Sequence, residues 1–228
     1  MQKVLTEKPG FFESGFSCYR DLGRNRVSFP NRHLCKKSQG RNPVSLPALL
    51  HKSLSMSMKI LLTSFDVWKT HHKSNSSDDL LSQVSQITSL PYSLKFVRKL
   101  PVDYQKAPDL VINHIKEFQP DITICCGMAE TRHKLTVESN AIGGDVRLKT
   151  QINLTRLVQN LPYTEISHNA GKFVCEALYY SVLKHLDDSL PKSQCLFVHV
   201  PLFSETNKDV IISDFLSIIH RVMGNGDW

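Results

Sequence analysis

Asp121-Ile122-Thr123-Ile124-Cys125-Cys126, closed by Gly127, decides the fold. It is a short, nearly continuous apolar run that ends at a turn residue, the pattern of a strand covered on both faces. Working outward, residues 59–64 (Lys59-Ile60-Leu61-Leu62-Thr63-Ser64) and 195–200 (Cys195-Leu196-Phe197-Val198-His199-Val200) repeat it. A further strand is expected over 94–102 and an irregular one over 135–142. Helical patterns separate these runs: 78–87, with acids in its first turn; 107–118, stopped by Pro120; 154–160, before Pro162; and 208–222. The longest, 170–186, carries Val174, Leu178, Val182 and Leu186 at helical spacing. Apolar strands alternating with helices predict an α/β fold with a mostly parallel sheet covered on both faces.

The 228 residues, 41% hydrophobic and 21% charged, fit one ordinary globular domain with an appended tail. No apolar run is long enough for a transmembrane helix, so no membrane partner is expected. The net charge of +7 is unevenly placed: residues 1–58 hold ten Lys/Arg against three acids, and the remainder holds 18 against 18. The body therefore has no electrostatic footprint for a polyanion, which argues against a nucleic-acid enzyme. The first segment shows neither helical nor strand period and is broken by Pro9, Gly10, Pro30, Gly40, Pro43 and Pro47. Residues 1–57 read as an unpacked basic extension: a disordered tail, a targeting peptide, or upstream sequence ahead of a natural start at Met56 or Met58. The extension lacks the apolar core of a secretory signal. The domain is expected over 58–228. Six cysteines, without that signal or a framework spacing, read as thiols of a cytoplasmic protein. Cys125 and Cys126 are adjacent and point to opposite faces of a strand, so they cannot share an ion, and no zinc motif is present. Neither metal nor cofactor is expected.

Ligands of such sheets bind beyond the carboxyl ends of the strands. Cys175 falls in the first turns of the 170–186 helix, where free N–H groups and the helix dipole favour a thiolate nucleophile. His199, near the end of its strand and shortly before Pro201, is placed as a general base. Glu138 is placed to orient and charge-stabilise the imidazole. Each has a plainer reading. A helical cysteine is more often a small buried hydrophobe, a strand histidine a hydrogen-bonded core residue, and a lone glutamate a solvated one. Residue types and spacing alone stop at an α/β domain with a candidate thiol site.

Three ordered segments carry the reading further: Val137-Glu138-Ser139-Asn140-Ala141-Ile142; Ser167-His168-Asn169-Ala170-Gly171-Lys172-Phe173-Val174-Cys175; and Phe197-Val198-His199-Val200-Pro201. They resemble the catalytic blocks of the pyroglutamyl peptidase I (pyrrolidone-carboxylate peptidase) family. Weaker matches extend over 59–204, including Leu100-Pro101-Val102 and the Pro120–Ala129 segment followed by Arg132. The resemblance implies a three-layer α/β/α sandwich, with Glu138, Cys175 and His199 as the triad. It implies a cofactor-free cysteine peptidase acting on small peptides with an N-terminal pyroglutamate, and leaves room for a homo-oligomer. Arg147 is implied as an oxyanion group beside the Cys175 backbone N–H. Phe65, Trp68 and Phe173 are implied as aromatic walls of the lactam pocket, and Leu148 as an aliphatic one.

The chain departs from the family pattern in four places. Phe65-Asp66-Val67-Trp68-Lys69-Thr70 stands where the family has a Phe-x-Pro-Phe-Gly-Gly turn. Met128 replaces a glutamine whose amide would face the lactam, and Ser139 replaces an arginine. A family loop of roughly two dozen residues between Arg147 and the 154–160 helix has no counterpart. These changes bear on specificity and oligomer contacts. They keep two further hypotheses open: a thiol hydrolase of altered specificity, and a non-catalytic binding protein on the same scaffold.

Overall fold

The structure, a computed structural model, describes residues 58–224. The expected extension over 1–57 and the last four residues of the expected domain lie outside them. The six-stranded sheet has the order β2-β1-β3-β8-β4-β7, with β1 at Lys59–Phe65, β2 at Ser93–Leu100, β3 at Ile122–Met128, β4 at Leu135–Glu138, β7 at Thr164–Ser167 and β8 at Gln194–Val200. Every neighbouring pair is parallel except β4 with β8. A separate antiparallel hairpin joins β5 (Asn140–Gly143) to β6 (Val146–Lys149).

Alternation along the central strands builds two cores. Ile60, Leu62, Ile124, Cys126 and Val198 point to one face, under α1 (Ser76–Ser85), α3 (Leu154–Val158) and α5 (Lys208–Met223). Leu61, Phe65, Cys125, Cys195 and Phe197 point to the other, under α2 (Lys106–Phe118) and α4 (Val174–Ser189). This is the three-layer α/β/α sandwich implied by the resemblance, and the adjacent cysteines do point to opposite faces.

Element boundaries differ where local chemistry intervenes. β2 stops at Leu100 rather than 102, since Lys99 has a left-handed φ of 56° and Pro101 has no N–H to give the ladder. The expected irregular strand over 135–142 is two strands: β4 pairs in the sheet and β5 turns away into the hairpin. β6 and β7, four residues each and polar at two and three positions respectively, are not foreseen. The helix expected from 170 starts at Val174, because Gly171 has φ +97° and Phe173 is extended. That shift makes Cys175 the second helical residue. No helix among the described residues is long and apolar enough to cross a membrane.

Candidate active site

Strand register sets the site. In the antiparallel β4·β8 pair Glu138 stands opposite Phe197 and Thr136 opposite His199. Glu138 and His199 are therefore diagonal neighbours on one face, within reach of long side chains. Glu138 Oε1 lies 2.7 Å from His199 Nδ1. A carboxylate only accepts, so Nδ1 carries the proton and Nε2 is left as the basic nitrogen. On the other side of β8, Gly127 is the register partner of His199. A Cβ on Gly127 would stand 2.7 Å from the Cys175 sulfur, so the missing side chain is the space the sulfur occupies, in the column of the sheet next to the histidine. The first turn of α4 delivers Cys175 over that gap.

Cys175 and His199 line one cavity of about 370 Å³, with Phe65, Trp68, Met128 and Phe173 among its walls. The Trp68 and Phe173 rings stand 6.2 Å apart at its mouth. The structure thus brings six of the expected site residues to one cavity and sets Glu138 behind His199. Arg147 and Leu148 are not brought there. Both are on β6, where Leu148 faces Ala141 and Arg147 faces Ile142; alternation turns Leu148 into the core under α4 and leaves Arg147 exposed. The guanidinium on the cavity wall is instead that of Arg132, which donates to Thr136 Oγ1, to Glu138 Oε1 and, at 2.9 Å, to the carbonyl of Asn169. The resemblance picked out Arg132 only as the residue following the Pro120–Ala129 match and gave it no role; only the fold brings it to Glu138.

Burial opposes charge on Glu138, yet the His199 hydrogen bond and the nearby His199 and Arg132 charges hold its carboxyl below the usual range. Burial lowers His199, against the raising effect of Glu138. Burial, then the Glu138 and Cys125 charges, push the Cys175 thiol up to about 12. Burial therefore opposes the thiolate expected from the helix dipole.

A family model for pyroglutamyl peptidase matches residues 58–155 and 150–217. The chain belongs to the pyroglutamyl peptidase family. Among its relatives, the pyrrolidone-carboxylate peptidase of Alkaliphilus oremlandii is 27% identical over 175 residues, covering 65% of this chain and 80% of that protein. That of Streptococcus pyogenes serotype M3 is 28% identical over 178 residues, with the same coverage. Among solved structures, the pyroglutamyl peptidase I of Bacillus amyloliquefaciens superposes with a TM-score of 0.64 at 24% identity, covering 72% of this chain and 93% of its own. The pyrrolidone carboxyl peptidase of Fervidobacterium islandicum gives 0.65 at 20% identity, covering 73% and 98%. The family fold and the sandwich described above agree.

Proposed function

We propose that the chain removes N-terminal pyroglutamyl residues from peptides through a thioester on Cys175. His199 Nε2 takes the thiol proton as Sγ bonds to the pyroglutamyl carbonyl carbon. The C–N bond then breaks, and the departing amine leaves with that proton. Water, deprotonated by His199, adds to the thioester and releases pyroglutamate and the thiol. Glu138 keeps Nδ1 protonated and stabilises the imidazolium formed in each half. The α4 N-terminus offers the Cys175 N–H to the oxyanion, and Arg132 stands on the same wall in the role the resemblance gave to Arg147. Phe65, Trp68 and Phe173 suit a flat uncharged lactam and disfavour a protonated N-terminus, whose desolvation is costly. The reaction draws every group from substrate, water and side chains, in a cytoplasmic setting where a thiol persists.

The observation carrying this reading is the sulfur seated over Gly127 beside a histidine whose Nδ1 is tied to a buried carboxylate. A pyroglutamyl chromogenic amide tests it: turnover is expected, and Cys175→Ser is expected to abolish it. Turnover that survives the substitution overturns the assignment. Met128 on the cavity wall favours a second reading, a thiol hydrolase on the same scaffold selecting another uncharged N-terminal group. That reading gains if the amide is not turned over while Cys175 still reacts with small acylating esters.

A further inference from the structure

At the rim of the cavity three ligating side chains converge that the thiol chemistry does not use. His71 and His72 lie in the segment after β1, and Glu130 lies just after β3; one ligand atom from each falls within 4.8 Å of the others. His72 Nε2 stands 3.4 Å from Glu130 Oε1, about the edge length of a tetrahedral zinc shell with ligand bonds near 2.0–2.2 Å. The His72 side chain is only 9% exposed, so packing fixes it in place. His71 stacks edge-on against it, ring centroids 4.2 Å apart.

The geometry points to a binding site for a zinc-class divalent ion held by His71, His72 and Glu130, with a fourth position open. Two imidazoles and one carboxylate suit zinc far better than calcium or magnesium, which require oxygen shells. Closing the set around an ion asks for a contraction of about an ångström, within the reach of side-chain rotation. Lys69 competes for the site, its Nζ 2.5 Å from Glu130 Oε1. The same ammonium is 4.8 Å from the Trp68 ring centroid, so it has an alternative partner once an ion takes the carboxylate. Trp68, Lys69 and Glu130 all line the cavity. Loading the ion therefore moves Lys69 at the entrance to the cavity that holds Cys175.

The test is zinc chloride titration of the Cys175→Ser protein, in which the one half-buried cysteine among the described residues no longer competes. One zinc per chain is expected, with affinity weakened at least roughly tenfold by His71→Ala, His72→Ala or Glu130→Gln, since even outer-shell partners of metal sites cost that much. Cobalt substituted for zinc is expected to give a visible ligand-field spectrum without the near-ultraviolet sulfur charge-transfer band. Glu130→Gln is nearly isosteric and guards against a misfolded histidine variant. Absence of zinc binding, affinity indifferent to all three substitutions, or a cobalt–sulfur band overturns the proposal. None of these outcomes depends on peptidase turnover.

Discussion

Glu138 is fully buried and bears its charge because Arg132 and His199 meet its Oε1. Glu138→Gln keeps the shape but offers an amide that no longer fixes the Nδ1 proton, and kcat on the pyroglutamyl amide is expected to fall roughly 10³–10⁴-fold. Gly127→Ala puts a carbon where the Cys175 sulfur sits; displacing the nucleophile by about an ångström is expected to cost roughly 10²-fold in kcat. Acid affects activity and stability in the same direction. The free-enzyme kcat/KM is expected to rise with pH through a value below the ordinary 6.5 of histidine, as His199 loses its proton. Unfolded, Glu138 and His199 take up protons near 4.5 and 6.5, before their folded counterparts do. The stability they lend is present above those values and lost as pH falls. Cys175 acts at the other end: the folded thiol keeps its proton to about 12 and the unfolded one only to 9.0, so stability declines as pH climbs through that window. Urea melts across pH check both limbs. Glu138, Cys175 and His199 were legible as candidates because each lies inside a recognisable block. Arg132 was not, because its role comes from a contact with a residue in β4 and a carbonyl in the loop before α4. Arg147 was expected from the resemblance alone, and the alternation that leaves it exposed belongs to a hairpin too short to detect.

At the scale of elements, α4 combines packing and presentation. Leu178 and Val182 are wholly buried against the sheet while the first turn holds Cys175. Leu178→Ala is expected to lower stability by about 2–5 kcal/mol, read from the denaturation midpoint, because the layer cannot close on the void. The long apolar strands and long amphipathic helices were readable because periodicity accumulates over many residues. β6 and β7 were missed because four residues give almost no period, and the start of α4 was set by Gly171 and Phe173 rather than by the apolar stripe. Antiparallel β4 was also invisible: strand direction depends on how the chain returns, not on composition.

For the whole molecule, every element that carries the site lies between Lys59 and Met223. Deleting residues 1–57 is therefore expected to leave the folding transition and the turnover number unchanged. The sheet order has a further consequence. β8 lies between β3 and β4, although both precede it in the chain, and it supplies the histidine to a glutamate 61 residues earlier. A polypeptide still emerging from the ribosome thus exposes its sulfur before its imidazole exists. The thiol–imidazole pair is completed only when β8 has been made, and a nick that releases β8 takes the imidazole away again.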